Sequence, residues 1–261
     1  ANTWPAPVPA TPGPDFMRRI AMWSGPRNIS TALMRAFENR PDCAVVDEPL
    51  YGCYLAETGL DHPGRDDIIA AMDCDWRSVA QALCNDEPAP CELYYQKNMT
   101  QHLLEDMSLD WVDRLQNCFL IREPRRIIAS YLRVRPEFTL EELGIPQQLA
   151  LFERERARLG VVPPVLDSAR TLADPEGVLR ALCGTLDIDF LEAMLHWPAG
   201  RRDSDGVWAQ HWYATVEQST GFSPPPATDS GDVVIPERYR DLCDEAEAIY
   251  ARLAEHALTG C

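Results

Sequence analysis

Residues 23–37 read WSGPRNISTALMRAF, and the fold turns on what this stretch does. A short apolar run, Ile20 to Trp23, comes just before it. Gly25 and Pro26 break that run, Ser30 and Thr31 follow, and the residues to Phe37 have the spacing of the first turns of a helix. Strand, tight loop and helix start together make an anion cradle. The first N–H groups of a helix lack intrahelical partners and carry about half a positive charge. The nucleotide loop GxxxxGK[ST] is not matched, because counting from Gly25 puts its Gly-Lys on Ser30-Thr31 and its hydroxyl on Ala32. What remains is Arg27, two hydroxyls and free backbone donors. The plainer alternative is an N-cap at Ser30 or Thr31 beside a solvated Arg27.

Outward from this stretch the chain alternates. Strands are expected near 19–23, 43–46 (CAVV), 92–97 (ELYYQK), 117–121 (NCFLI) and 161–167 (VVPPVLD). Helices are expected at about 30–40, 66–84, from 98 to about 115, from Pro124, over 139–159 behind a Thr139–Glu142 capping box, over 174–186 behind Asp174, and over 236–257. The last presents Tyr239, Leu242, Ala246, Ile249 and Leu253 on one face. The stretches 47–65 and 196–235 read as irregular. Short apolar strands alternating with helices predict an α/β fold, a three-layer sandwich whose central, mostly parallel sheet is flanked by helices. Ligands in such folds bind beyond the carboxyl ends of the strands.

The residues just after each strand are therefore the candidates. Asp47 and Glu48 follow the second strand, and a carboxylate there would take a proton from an attacking hydroxyl, or would be one more surface acid. Lys97 ends the third strand, with His102 beyond it. Arg122 ends the fourth, and Ser130 lies two turns into the next helix. Arg125, Arg126 and Arg133 read as a solvated helix face. RRDSDGVWAQHW (201–212) puts Arg201 and Arg202 in a loop before Trp208, and paired guanidinium groups grip phosphate bidentately.

Composition narrows the classes. The chain has 261 residues and a formal net charge of −17, a surface that repels nucleic acid, so an anion would need a local pocket. Nine cysteines, an odd number without a CxxC pair, read as reduced thiols and suit a cytoplasmic location. No His/Cys spacing suggests a metal site. No apolar run approaches the roughly 20 residues that span a bilayer. Residues 1–15 hold five prolines and read as a disordered tail, leaving 16–261 as a single α/β domain.

Three elements in order resemble the sulfotransferase family that uses 3′-phosphoadenosine 5′-phosphosulfate (PAPS). PRNIST (26–31) is similar to the family's first loop, P-[KR]-[ST]-G-[ST]-[ST]. REPRRIIAS (122–130) keeps its Arg, its Pro two residues on and its Ser eight on. RRDSDGVWAQHW approaches R-K-G-x-x-G-x-W-x-x-x-[FW], keeping Arg201, Gly206, Trp208 and Trp212, with Arg202 for Lys. The resemblance covers about residues 18–215 and implies a P-loop-like fold. It implies PAPS as donor, PAP as product, no metal, and a small-molecule acceptor carrying a hydroxyl or amine. On it, Arg27, Asn28, Ile29, Ser30 and Thr31 would hold the 5′-phosphosulfate. Arg122, Ser130, Arg201 and Arg202 would hold the 3′-phosphate, with Gly206 also against the cofactor and Trp208 beside the adenine or in the core. Lys97 would reach the sulfonyl group. Met99 stands where one branch of the family has a catalytic His, so the base would be Glu48 of DEP (47–49), with His102 the alternative. Asn28 and Ile29 replace a small hydroxyl and a Gly, which implies a differently shaped loop, and Asp203 adds a negative charge where a Gly is usual. Segments 50–75, 136–150 and 215–235 would wall the acceptor pocket. Two rivals stay open: a Mg²⁺-dependent nucleotide kinase with a degenerate P-loop, and a non-catalytic nucleotide-binding protein. Oligomeric state is not legible.

Overall fold

The protein is described from a computed structural model covering residues 17–223 and 233–260, so the expected tail over residues 1–15 lies outside the described residues. The strands are β1 (Arg18–Ser24), β2 (Cys43–Asp47), β3 (Leu93–Met99), β4 (Gln116–Ile121) and β5 (Val165–Asp167). They form one parallel sheet in the order β2-β3-β1-β4-β5. Helices α1 (Ser30–Glu38), α2 (Tyr51–Thr58), α3 (Arg65–Ala71), α4 (Trp76–Asn85), α5 (Pro124–Leu132), α6 (Ile145–Leu159), α7 (Ser168–Ala173), α8 (Pro175–Leu186), α9 (Ala209–Trp212), α10 (Ala214–Glu217) and α11 (Arg240–Ala254) surround it. The expected layered α/β architecture is present.

Both faces of the sheet are buried, which is why its strands read as apolar runs rather than alternating ones. On one face Ile20, Met22, Leu93 and Tyr95 pack against Leu33, Met34 and Phe37 of α1 and Val178, Leu179 and Leu182 of α8. On the other, Ala21, Trp23 and Phe119 meet Val79 and Leu83 of α4, Leu151 and Phe152 of α6 and Leu253 of α11. β1 lies at the centre, so the loop after it opens beside the ends of β3 and β4.

Several expected helices are broken or displaced. The 66–84 segment splits into α3 and α4, because the Asp75 carboxylate accepts the Arg77 N–H and starts a new helix. The Thr139–Glu142 capping box forms reciprocally at 3.1 and 3.3 Å, yet it opens a single 3₁₀ turn. Gly144, at φ +68°, ends that turn before α6 begins. The segment after β3 holds 3₁₀ turns at Thr100–His102 and Asp110–Arg114 instead of a longer helix. α2 lies in a stretch read as irregular, and α9 and α10 lie in the loop expected over 196–235. Among the described residues no helix is long and apolar enough to cross a membrane.

Candidate active site

Beyond the carboxyl ends of β1, β2, β3 and β4 lies a cavity of about 600 Å³. One wall comes from the loop after β1. Gly25 must be glycine, because a Cβ there would lie 2.7 Å from the Leu143 carbonyl oxygen. The positive φ of this loop falls on Arg27 (+57°), while Ile29 takes φ −88°. Ile29 therefore meets no torsional obstacle, and the loop's shape is fixed by Asn28 instead. The Asn28 amide donates to the Leu120 carbonyl at 3.2 Å, and its Oδ1 accepts from the Ile29 N–H at 2.9 Å and from the Ser168 hydroxyl. The start of α1 has no side-chain cap, so its first N–H groups are not taken by Ser30 or Thr31.

Arg27, Ser30, Thr31, Arg122, Ser130 and Arg133 line this wall. Arg27 Nε donates to Ser130 Oγ at 2.9 Å, and Arg122 donates to the Arg27 carbonyl. Burial, followed by the neighbouring Arg133, pushes the Arg27 pKa below its ordinary value. Arg133 is exposed, as expected of it, and also lines this cavity. Arg125 and Arg126 pair with Glu247 and Glu123, as a surface face does.

The opposite wall is carboxylate. Asp47 and Lys97 are directly opposite in the β2–β3 ladder. The Lys97 ammonium gives its protons to Asp47 Oδ1 at 2.7 Å, Glu48 Oε1 at 2.6 Å and Tyr213 Oη at 2.7 Å. Tyr213 in turn donates to Asp47 Oδ2 at 2.7 Å. Glu48 sits at φ +44°, a left-handed position that turns its side chain back toward the cavity. Burial pushes the Glu48 pKa up, Lys97 pulls it back and Asp47 pushes it up again. For Lys97, burial favours the neutral amine, but Asp47, Glu48 and Tyr213 outweigh that and hold its pKa well above the ordinary value. Lys97 is thus inside a strand, with its three protons engaged.

His102 Nε2 is 4.0 Å from Glu48 Oε2, and its ring stacks on Tyr51 at 4.7 Å. Burial, then His62 and Lys97, hold its pKa well below the usual histidine range. His62 is pushed down to about 4 by burial and by Arg135. Arg135 can only donate, so His62 Nε2 accepts from it at 2.6 Å and Nδ1–H donates to Tyr51 Oη at 2.8 Å.

Arg201, Arg202, Gly206 and Trp208 do not line the cavity. Arg201 is exposed, and Arg202 reaches the Pro198 carbonyl at 3.2 Å and Glu38 at 3.8 Å. Trp208 is core, packed edge-on against Tyr51 at 5.3 Å, and Gly206 is needed because a Cβ would strike its ring at 2.2 Å. Asp203 is exposed. Of the three segments expected to wall an acceptor pocket, 50–75 contributes Tyr51 and His62, 136–150 contributes nothing, and the described part of 215–235 contributes Thr215, Val216, Gln218, Ser219, Gly221, Phe222 and Ser223. Tyr213 carries no motif of its own, and only its place one residue beyond Trp212 ties it to a quoted pattern. No cluster of three or more metal-binding side chains occurs among the described residues.

The sequence model of the sulfotransferase domain family matches residues 17–254, and the chain belongs to that family. It is similar in structure to the sulfotransferase domain of the Synechococcus PCC 7002 olefin synthase, with a TM-score of 0.58 and 19% identity over 91% of this chain and 97% of that one. It is also similar to a sulfotransferase from Alicyclobacillus acidocaldarius, at TM-score 0.50 and 13% identity over 93% and 98%. At such identities these likenesses show the P-loop-like fold. In sequence the chain is 36% identical over 240 residues to the branched-chain-amino-acid aminotransferase-like protein 1 of Arabidopsis thaliana, covering 91% of this chain and 42% of that protein. Its companion, protein 2, is 33% identical, again with 42% covered. The chain spans less than half the length of these relatives.

Proposed function

We propose, on the premise of that family membership, that the chain moves a sulfonyl group from PAPS to a hydroxyl or amine of a small-molecule acceptor, with Glu48 as general base. The observation that carries this reading is the placing of Arg27 and the uncapped start of α1 in the same cavity as Glu48. PAPS supplies an activated sulfonyl group on its 5′-phosphate. The N–H groups at the start of α1, Ser30, Thr31 and Arg27 suit the 5′-phosphate, where charge grows as the sulfur–oxygen bond breaks. Arg122, Ser130 and Arg133 suit the 3′-phosphate from inside the cavity. Arg201 and Arg202 would reach it only if their loop moved.

The acceptor oxygen or nitrogen bonds to sulfur in line, its proton passes to Glu48, and PAP leaves. Glu48 is better suited to this than His102. A raised carboxyl pKa makes a stronger base, whereas His102 gains a proton only against burial and the Lys97 charge. Lys97 holds Glu48 in place and favours its ionised form against the push of burial. With its protons given to Asp47, Glu48 and Tyr213, it serves this reading as a positioning residue.

The test pairs binding with turnover. PAP should raise the melting temperature more than ATP with Mg²⁺ does, by mass action. Glu48→Gln should lower PAP release from PAPS, measured over a panel of alcohols, phenols and amines, by about 10²–10⁴-fold while leaving the PAP-induced shift intact. Preferential stabilisation by ATP·Mg²⁺ would overturn the donor, and full turnover in Glu48→Gln would overturn the base.

A further inference from the structure

Asp47 makes contacts that the proposed chemistry does not by itself require. It accepts from three donors, and two of them come from one segment, residues 200–213. These are the Tyr213 hydroxyl at 2.7 Å and the Gly206 N–H at 3.4 Å. Trp208 Nε1 donates to the same hydroxyl at 3.3 Å. At its other end the segment is fastened to α1. Buried Arg35 holds Asp205 through two bonds of 2.5 and 2.7 Å, and Ser204 donates to Glu38 at 2.5 Å. One stretch of chain thus joins the helix that opens at the Arg27 loop to the carboxylate wall.

We propose that Tyr213 is a positioning residue for Glu48. By giving its proton to Asp47 and accepting one from Lys97, it keeps the ammonium shared with Glu48 and makes the 200–213 segment part of the base's setting. The inference rests on reading Glu48 as the base.

The reasoning is electrostatic. The groups facing Glu48 are Asp47 from β2, Lys97 from β3, His102 from the turn after it, Tyr51 from α2 and Tyr213 from the segment between α9 and α10. Burial holds both tyrosines and His102 neutral. Beyond the upward push of burial, the protonation of Glu48 therefore depends on how Lys97 divides itself between two carboxylates. The Tyr213 proton damps the Asp47 charge on the oxygen that Lys97 does not reach. Without it, Asp47 draws the ammonium and faces Glu48 with a fuller charge.

Infrared difference spectra read this directly, each protein being compared across pH with its own Glu48→Gln partner, with no acceptor needed. Tyr213→Phe should raise the Glu48 midpoint by about one pH unit, and Asp47→Asn should lower it by about as much. The acid limb of PAP release from PAPS, with water as acceptor, should move in the same two directions. Midpoints that stay put, or that move together, would overturn the positioning role. If Tyr213→Phe does not fold, Trp208→Phe takes its place, weakening the hydroxyl's bond to Asp47 with a smaller rise expected, and an unchanged midpoint there is equally fatal. Opposite shifts alongside an active Glu48→Gln would sink the base reading and leave the positioning role standing. An inactive Glu48→Gln with unmoved midpoints would do the reverse.

Discussion

On one wall of the cavity Arg27 sits beside Arg133 and gives its Nε to a neutral hydroxyl. On the other, Lys97 gives its protons to two carboxylates and a phenol. The first wall brings the guanidinium groups of Arg27, Arg122 and Arg133 together around one cavity. The second closes its charges on one another before any ligand arrives. The contrast teaches which ligand each wall suits. An anion gains most where guanidinium groups crowd together. A proton is best handled where a carboxylate is held ready but kept from tight solvation.

The sharpest way to break this contrast is to open the closed wall. Lys97→Met leaves Asp47 and Glu48 adjacent and buried without their cation, and should lower the unfolding free energy by about 3–5 kcal/mol in urea titrations. Adding Asp47→Asn and Glu48→Gln should return most of that loss. A Lys97→Met protein with an unchanged urea midpoint would mean the wall is not internally compensated.

A smaller effect sharpens the neutral part of the same wall. His62 has a pKa of about 4 when folded against 6.5 otherwise, so the unfolded chain takes up its proton first as pH falls. The stability tied to neutral His62 is whole above about pH 6.5 and is lost on descending toward 4. At about 1.4 kcal/mol per pH unit this amounts to about 3 kcal/mol. His62→Gln should therefore lose about that much less than the parent between pH 6.5 and 4, read as urea midpoints at each pH.

The smallest effect tests the open wall. Arg27→Gly should weaken PAP binding about 10- to 100-fold in calorimetry, the scale of a charged hydrogen bond. Its unfolding free energy should stay within about 1 kcal/mol of the parent. Glycine relieves the left-handed backbone at φ +57°, which offsets the lost bond to Ser130. A large stability loss with unchanged PAP affinity would place Arg27 among structural residues instead.

The strands were legible because both faces of the sheet are covered, leaving runs such as Asn117–Ile121 nearly all apolar. The loop after β1 was legible for the same reason, as an abrupt end to such a run. α2 was not. Tyr51, Cys53, Tyr54 and Leu55 are all buried, so the helix shows no polar stripe to give its period away. Glu48, Arg27, Ser130 and His102 could be picked out because each follows a strand or lies in a quoted motif. Tyr213 could not, since its partner Asp47 is distant in sequence and nothing local marks a phenol as an ion-pair partner. Arg133 is exposed as read, but its place on the cavity was not legible, because helical spacing says which residues share a face, not what that face meets. The third motif was visible as a pattern, but of its members Trp212 alone lines the cavity, among the described residues, and others serve packing and latching. Trp208 fills core and Arg202 leans on Glu38.

The pairing of Asp47 with Lys97 across β2 and β3 bears on assembly as well as chemistry. Leu93, Tyr95 and Lys97 point to one side of the sheet, and a slip of one residue would turn Lys97 toward α4, away from both acids. An ammonium stranded in hydrocarbon is costly enough to reject that arrangement outright. The lysine that ties Glu48 to Asp47 therefore also guards the strand alignment, so a chain that folds in the wrong register forfeits stability and the geometry of this wall together.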